Sequence, residues 1–159
     1  MTNPLSDPEF VAGLRPVPSG LDDEAPPWPA ADLAGIRPDG SPVSFILGTS
    51  GRPVLLVFLT TKCDGCDVFW TGLAQPPADT DVVIVTKGPG EAEPGEVDAL
   101  ASGLSQVEVV MSDAAWSDYR VTGYPFLVLV ERRTRTILGE AVAFGWSDIE
   151  TLRSRAPGG

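Results

Sequence analysis

The chain of 159 residues contains two cysteines, Cys63 and Cys66, which stand three positions apart. They follow a continuous apolar run over residues 54–59, which is typical of a strand buried on both faces. From Cys66 to residue 74, apolar residues recur at helical spacing. A Cys-x-x-Cys step between such a strand and such a helix places one sulfur at the helix N-terminus, where a thiolate is stabilised. The pattern therefore predicts a strand–turn–helix unit with a reactive or metal-binding cysteine pair.

Strand and helix patterns alternate along the rest of the folded part. A proline- and glycine-containing turn at residues 38–42 separates two short predicted strands ahead of the cysteines. The polar turn at residues 132–135 is short enough to predict an antiparallel hairpin. Further strands are predicted over residues 82–85, 107–111, 126–130 and 137–144, and further helices over residues 95–104, 112–119 and from a capping-box pattern at residues 147–150. This order indicates an α/β fold in which helices flank a mixed central β-sheet.

The chain divides into a leader and one domain. Residues 1–30 are rich in proline, which predicts an extended or disordered leader. Residues 31–159 are predicted to form a single folded domain, because this length is sufficient to bury a core.

Composition excludes several classes of function. The chain has no histidine, so Ser-His-Asp catalysis, Cys-His catalysis and histidine metal sites are excluded. Two cysteines do not complete a four-sulfur metal site, although a dimer could share one, and neither a metal nor another cofactor is predicted. The formal net charge of −11 argues against nucleic acid and anionic membranes as partners.

The sequence also carries signals of the protein's cellular location. Residues 1–8 lack the basic start and apolar segment of a signal peptide, and no apolar stretch is long enough for a membrane span. The sequence as written therefore predicts a cytoplasmic protein without a membrane span. A lone close cysteine pair in that compartment is more often catalytic or metal-binding than structural.

The two cysteines have different predicted roles. Cys63 would be the exposed nucleophile, and Cys66, one turn into the helix, would be the buried resolving thiol. The helix N-terminus and Lys62 should lower the pKa of Cys63, whereas Asp64 and Asp67 should raise it. A buried pair without a redox role, or a metal site shared between two chains, is the alternative interpretation.

A second notable position is Pro125, which stands immediately before the apolar run 126–130. Proline cannot donate to a strand ladder, so it is expected at the start of the strand. Two interpretations are open: an ordinary proline at the strand entry, or a cis peptide bond after Tyr124.

Several segments together resemble a known family. Residues 24–155 look like the thioredoxin fold, and specifically its TlpA-like, redoxin-type branch of thiol-disulfide oxidoreductases. The matching segments are residues 25–26, 32–35, 51–58, 63–66, 119–125 and 139–145, followed by the last helix. The resemblance implies an N-terminal hairpin extension and a cis Pro125 against the active-site sulfurs. It also implies that the backbone of Tyr124 pairs with the substrate chain. Proteins of this branch are usually exported or membrane-tethered.

The chain departs from thioredoxins at the positions around the cysteines. Thioredoxins usually have tryptophan before the first cysteine and Gly-Pro between the two, whereas this chain has Lys62 and Asp64-Gly65. Thioredoxins also bury an aspartate at the position of Val57. The Asp-Gly step has more backbone freedom than Gly-Pro, and the missing carboxylate should slow resolution. These differences favour a dedicated partner over general thioredoxin activity.

The resemblance and the cysteine chemistry together predict a thiol-disulfide oxidoreductase. The enzyme would require a protein disulfide or dithiol as substrate and an electron donor. One alternative is a non-catalytic accessory or binding module on the same scaffold, because fold does not fix function. A second is a thiol peroxidase, since Thr60 and Cys63 have the Thr-x-x-Cys spacing of peroxiredoxins. That signature also requires a proline where this chain has Leu56.

Overall fold

A seven-stranded sheet forms the centre of the structure, a computed structural model that describes Pro26 and residues 28–155. The spatial order of the strands is β2-β1-β5-β4-β3-β6-β7. β3, β4 and β5 run parallel, whereas β1, β6 and β7 pair antiparallel with their neighbours. The strands are β1 (Leu33–Ile36), β2 (Pro42–Phe45), β3 (Val54–Phe58), β4 (Asp81–Thr86), β5 (Glu108–Met111), β6 (Phe126–Glu131) and β7 (Thr136–Val142). The predicted mixed sheet is therefore confirmed.

Four helices connect or follow these strands within the described residues. They are α1 (Asp64–Gly72), α2 (Pro94–Ala101), α3 (Asp113–Asp118) and α4 (Ser147–Arg153). α1 begins ahead of the predicted start at Cys66, because Cys63 adopts an extended backbone and its sulfur caps the first turn. α3 begins after Ser112, whose hydroxyl accepts the backbone N–H of Ala115.

The two faces of the sheet bury separate cores. Side chains alternate along β3, so Leu55, Val57 and Leu59 face one core and Leu56 and Phe58 face the other. The first core includes residues of α1, α2 and α4. The second core includes residues of α3 and of the β1–β2 hairpin. The sheet is thus covered on both sides, which explains why its central strands are continuously apolar.

The capping box predicted for the last helix does not form. Trp146, the residue before α4, has a helical backbone (φ −61°, ψ −33°) instead of the extended backbone of an N-cap, and no side chain caps the helix start. Asp148 instead accepts the backbone N–H of Phe144 at 2.7 Å and that of Gly145 at 3.3 Å. The Asp148 carboxylate therefore links the first turn of α4 to the loop before it, and Ser147 does not cap the helix.

The β1–β2 hairpin extends the sheet beyond β5. Four residue pairs join β1 to β2, whereas one pair, Ile36 with Met111, joins β1 to β5. The N-terminal hairpin implied by the family resemblance is present at this edge.

Most of the predicted leader, residues 1–30, lies outside the residues that the structure describes. Of its residues, 1–25 and 27 lie outside the described part of the chain. Within the part that is described, no helix is both long and apolar enough to cross a membrane.

Candidate active site

The two cysteines lie at the start of α1 and are joined as a disulfide. Their Cα atoms are 5.1 Å apart. The backbone N–H of Cys66 donates to Cys63 Sγ at 3.1 Å and to the Cys63 carbonyl at 3.0 Å. Because a backbone N–H in the first turn of α1 donates to Cys63 Sγ, reduction would leave a thiolate at a position that stabilises negative charge.

The two sulfurs differ in their access to solvent. Cys66 is fully buried, and Cys63 is half-buried against the first core, which includes residues of α1. An attacking thiol must be reachable and a resolving thiol need not be. This geometry agrees with the predicted roles of Cys63 as nucleophile and Cys66 as resolving thiol, which stay predictions.

Pro125 lies directly across the first turn of α1. The Tyr124–Pro125 peptide bond is cis, so the second of the two interpretations from sequence applies. A β-carbon added to Gly65 would lie 3.5 Å from Pro125 Cδ and 4.0 Å from Cys63 Sγ. The fold thus brings together the cysteine pair and the cis-proline loop, which are far apart in sequence.

Tyr124 stands at the edge of a groove beside the cysteines. Its side chain is 49% exposed, and its ring meets the Trp116 ring edge-on with centroids 6.0 Å apart. The groove has a cavity volume of about 290 Å³. Thr60, Lys87 and Trp116 contribute to its wall. A hollow of this size can hold one or two side chains of a bound chain.

Cys66 has a polar partner that the sequence patterns did not predict. Thr60 Oγ1 lies 3.9 Å from Cys66 Sγ, within hydrogen-bonding range for sulfur. Val57, which stands where thioredoxins bury an aspartate, is fully buried in the same core as Cys66. The position of Thr60 directly after the β3 run was the available signal, because a residue at the end of a strand can face the following helix start.

Lys62 contacts an acidic partner on α2. Its ammonium nitrogen lies 4.0 Å from Glu96 Oε2, and its side chain is 79% exposed. The hydroxyl of Thr61 donates to Glu96 Oε1 at 3.2 Å, so Glu96 contacts both residues before Cys63. Asp64 is exposed in the first turn of α1. The predicted influence of Lys62 and Asp64 on Cys63 stays a prediction, and Glu96 is a further charge that sequence reasoning did not place here.

The structure is similar to solved structures of thioredoxin-fold proteins. One is a secreted disulfide oxidoreductase of Mycobacterium tuberculosis, homologous to E. coli DsbE, with a TM-score of 0.58 and 19% identity over 77% of this chain and 93% of that one. Another is a thiol:disulfide interchange protein of the thioredoxin family from Chlorobium tepidum, with a TM-score of 0.59 and 19% identity over 84% and 98%. A thioredoxin-like protein from Aeropyrum pernix gives a TM-score of 0.61 and 14% identity over 79% and 89%.

These similarities establish that the chain has the thioredoxin fold, an α/β architecture. In this structure its Cys-x-x-Cys pair is closed as a disulfide. The relatives share little sequence with it, and fold alone does not fix activity. No protein-family model matches the sequence, and no curated protein sequence matches it.

Proposed function

We propose that this protein is a thiol-disulfide oxidoreductase. Its Cys63–Cys66 dithiol or disulfide would undergo thiol-disulfide exchange with a cysteine pair of a partner protein. The observation that carries the proposal is the arrangement of the two sulfurs, with Cys63 Sγ at the helix start and Cys66 buried behind it. The loop of Tyr124 and Pro125 beside them supports it, because Pro125 packs against the first turn of α1 and the neighbouring Tyr124 stays exposed to a substrate chain.

Reduction of a partner would proceed in two exchange steps. The Cys63 thiolate attacks one sulfur of the partner disulfide, so that a Cys63–partner disulfide forms and the other partner sulfur leaves as a thiolate. Cys66 then loses its proton and attacks Cys63 Sγ, which releases the second partner sulfur. Two electrons pass from the dithiol to the partner. The reverse sequence oxidises a partner dithiol, and a separate electron donor restores the dithiol after reduction.

Tyr124 and Pro125 are the proposed substrate-binding residues. Tyr124 is exposed beside the groove, whereas Pro125 is buried against the first turn of α1. An extended partner segment would lie along this loop with its cysteine over Cys63 Sγ. Lys62 and Asp64 would tune the reactivity of Cys63 with opposite charges, and Glu96 would reduce the effect of Lys62 by pairing with it.

The test uses the reduced protein and the two single-cysteine variants. We expect reduced wild type to cleave the disulfides of insulin, and Cys63→Ser to abolish this cleavage. Cys66→Ser should accumulate a mixed disulfide on Cys63, whose mass identifies the partner when the variant is used as a trap in a cell extract. Absence of turnover with any chemical reductant, although the internal disulfide forms, would refute the proposal.

The same variants separate the competing functions. A cellular phenotype that survives Cys63→Ser combined with Cys66→Ser would indicate a binding module. Peroxide consumption that is lost in Cys63→Ser would indicate a thiol peroxidase.

A further inference from the structure

Glu96 on α2 contacts the two residues that precede Cys63. Its Oε1 accepts the hydroxyl of Thr61 at 3.2 Å, and its Oε2 lies 4.0 Å from the Lys62 ammonium nitrogen. Thr61 and Lys62 form a bend between β3 and α1, so two consecutive side chains can reach the same carboxylate. The hydrogen bond joins residues 35 positions apart, and it links α2 to the segment that carries the reactive sulfur.

The carboxylate of Glu96 is directed at this segment and not at the start of its own helix. Glu93 is the N-cap residue of α2, and its side chain makes no capping hydrogen bond. Glu96 stands three positions later, where a carboxylate commonly reaches back to the N-cap N–H. Its two oxygens contact Thr61 and Lys62 instead. A side chain that contacts another segment where it could cap its own helix indicates a role at that segment.

The loop before Cys63 is also anchored by a buried residue of α1. The carbonyl of Thr60 accepts the indole N–H of Trp70 at 3.1 Å, and Trp70 is buried in the first core. The Glu96 side chain, in contrast, is 47% exposed and carries a charge. The Glu96 anchor can therefore act on the loop in two ways, by a hydrogen bond and by an electrostatic interaction.

The charged side chains around Cys63 are of both signs. They lie next to it in the chain, in the first turn of α1 and around the hollow beside Thr61, and together with the titratable phenol of Tyr124 they are Lys62, Lys87, Asp64, Asp67, Glu91, Glu93 and Glu96. Each lysine has an acidic partner, since Lys87 lies 3.6 Å from Glu91 and Lys62 pairs with Glu96. Lys62 is thus a cation adjacent in the chain to the attacking sulfur, and Glu96 offsets part of its charge.

We propose that Glu96 is a positioning residue for the exchange reaction at Cys63. Its hydrogen bond with Thr61 fixes the loop that presents the Cys63 sulfur to a substrate. Its pairing with Lys62 limits how strongly that ammonium stabilises the Cys63 thiolate. This proposal rests on the proposed exchange reaction and assigns a part in it to α2, which carries neither cysteine.

The experiment separates the two contacts in the Cys66→Ser background, where Cys63 is the single thiol. Alkylation by iodoacetamide across a range of pH gives the midpoint at which the Cys63 thiolate forms. The rate of mixed-disulfide formation with a synthetic peptide disulfide, measured above that midpoint, reports how well the sulfur is presented. Glu96→Gln keeps an oxygen that can accept the Thr61 hydroxyl but removes the charge. Thr61→Val removes the hydrogen bond but keeps the charge.

We expect Glu96→Gln to shift the alkylation midpoint to lower pH, so that alkylation below the midpoint becomes about twofold faster, because exposed ion pairs are weak. This gain should be smaller when Lys62→Met is also present, and it should shrink as salt is added. Mixed-disulfide formation above the midpoint should stay close to the parent rate. Thr61→Val should slow that formation roughly fivefold, because a hydrogen bond is lost, and should leave the midpoint in place.

The matched control is Glu93→Gln, because Glu93 is exposed at the same hollow but belongs to neither contact with the loop. It should keep both parent values. An unchanged midpoint in Glu96→Gln, or an equal shift in Glu93→Gln, would overturn the proposal, as would an unchanged rate of mixed-disulfide formation in Thr61→Val. If wild type reduces no protein disulfide, the exchange reaction is refuted, and alkylation of Cys63 still decides whether Glu96 acts on that sulfur.

Discussion

The sulfur of Cys66 lies in an apolar environment with a hydroxyl within reach. Val57 is fully buried on the same side of the sheet, and Thr60 Oγ1 lies 3.9 Å from Cys66 Sγ. The carbonyl of Thr60 accepts the indole N–H of Trp70 at 3.1 Å, which fixes the Thr60 backbone. The hydroxyl is therefore well placed to orient the Cys66 thiol and to bond to its sulfur when the thiol loses its proton.

Thr60→Val tests this role of the hydroxyl. A hydrogen bond is worth about 1 kcal/mol, so we expect the step in which Cys66 resolves the mixed disulfide to slow roughly fivefold. The attack by Cys63 should keep its rate. Rapid-quench measurement of the mixed disulfide formed with a labelled peptide disulfide separates the two steps.

The control for this substitution is Thr71→Val. Thr71 is exposed on α1, so its loss of a hydroxyl makes the same chemical change away from the sulfurs. If Thr60→Val resolves the mixed disulfide at the wild-type rate, or if both variants slow it equally, then Thr60 does not assist Cys66.

At the residue scale, local patterns predicted the candidate site because its signals are short in sequence. The Cys-x-x-Cys spacing and the proline before an apolar run are readable from single segments. The contact between Lys62 and Glu96 is different, because it joins the loop before α1 to a helix beyond β4. Such a contact depends on how α2 packs on the sheet, which the sequence pattern does not specify.

At the scale of elements, the docking of the β1–β2 hairpin depends on one close backbone approach. A β-carbon added to Gly35 would collide with the Met111 carbonyl, so the two strands meet at a distance that admits no side chain there. The charged pair of Arg37 and Glu108, at 2.8 Å, adds a contact at the exposed surface. Since β1 shares a single residue pair with β5, this approach is a main determinant of how the hairpin attaches.

Gly35→Ala is therefore expected to destabilise the attachment of the hairpin. Overpacking against backbone typically lowers the free energy of unfolding by about 1–3 kcal/mol. The backbone amides of β1 and β2 should exchange with solvent faster, while those of β3 should respond less. Chemical denaturation gives the free energy of unfolding, and hydrogen exchange gives the location of the effect.

Gly103→Ala is the matched control, because a β-carbon at Gly103 would meet nothing within 4 Å. It should leave both measurements close to wild type. Wild-type stability together with unchanged exchange of the hairpin in Gly35→Ala would show that the hairpin does not depend on this approach.

Element order was predictable because each segment carries its own periodicity and turn residues. The order of strands and helices follows the apolar runs, and the sheet is mixed as expected. The start of α4 was not predictable in the same way. Asp148 accepts the backbone N–H groups of Phe144 and Gly145, because the loop before α4 turns back over the start of the helix. A capping-box pattern in the sequence does not predict the conformation of that loop.

At the scale of the whole molecule, Tyr119 joins the segment before the hairpin to the second core. Its hydroxyl accepts the backbone N–H of Ala31 at 2.9 Å and donates to the carbonyl of the same residue. Its ring lies 5.6 Å from that of Phe58 in the core between the sheet and α3. The sequence predicted the helix and the hairpin separately, but this link bridges 88 positions and arises only from the packing of the two.

The stability of the protein should fall in alkaline solution because of Tyr119. Burial is the main cause that raises the pKa of Tyr119 to about 12. An unfolded tyrosine has a pKa of about 10, so between these values the unfolded chain releases a proton that the folded chain keeps. The contribution of Tyr119 is therefore fully present below pH 10 and is lost as the pH rises toward 12, by about 2 kcal/mol.

Tyr119→Phe should change both the level and the slope of this stability curve. Loss of the two hydrogen bonds to Ala31 should lower the free energy of unfolding at neutral pH by about 1–2 kcal/mol. Above pH 10 the variant should lose stability less steeply than wild type, so that the two curves approach each other. Tyr124→Phe is the control, because it removes the same hydroxyl from a ring that is 49% exposed in the folded protein. Denaturant titrations across this pH range measure the curves, and parallel curves for wild type and Tyr119→Phe would contradict the assignment.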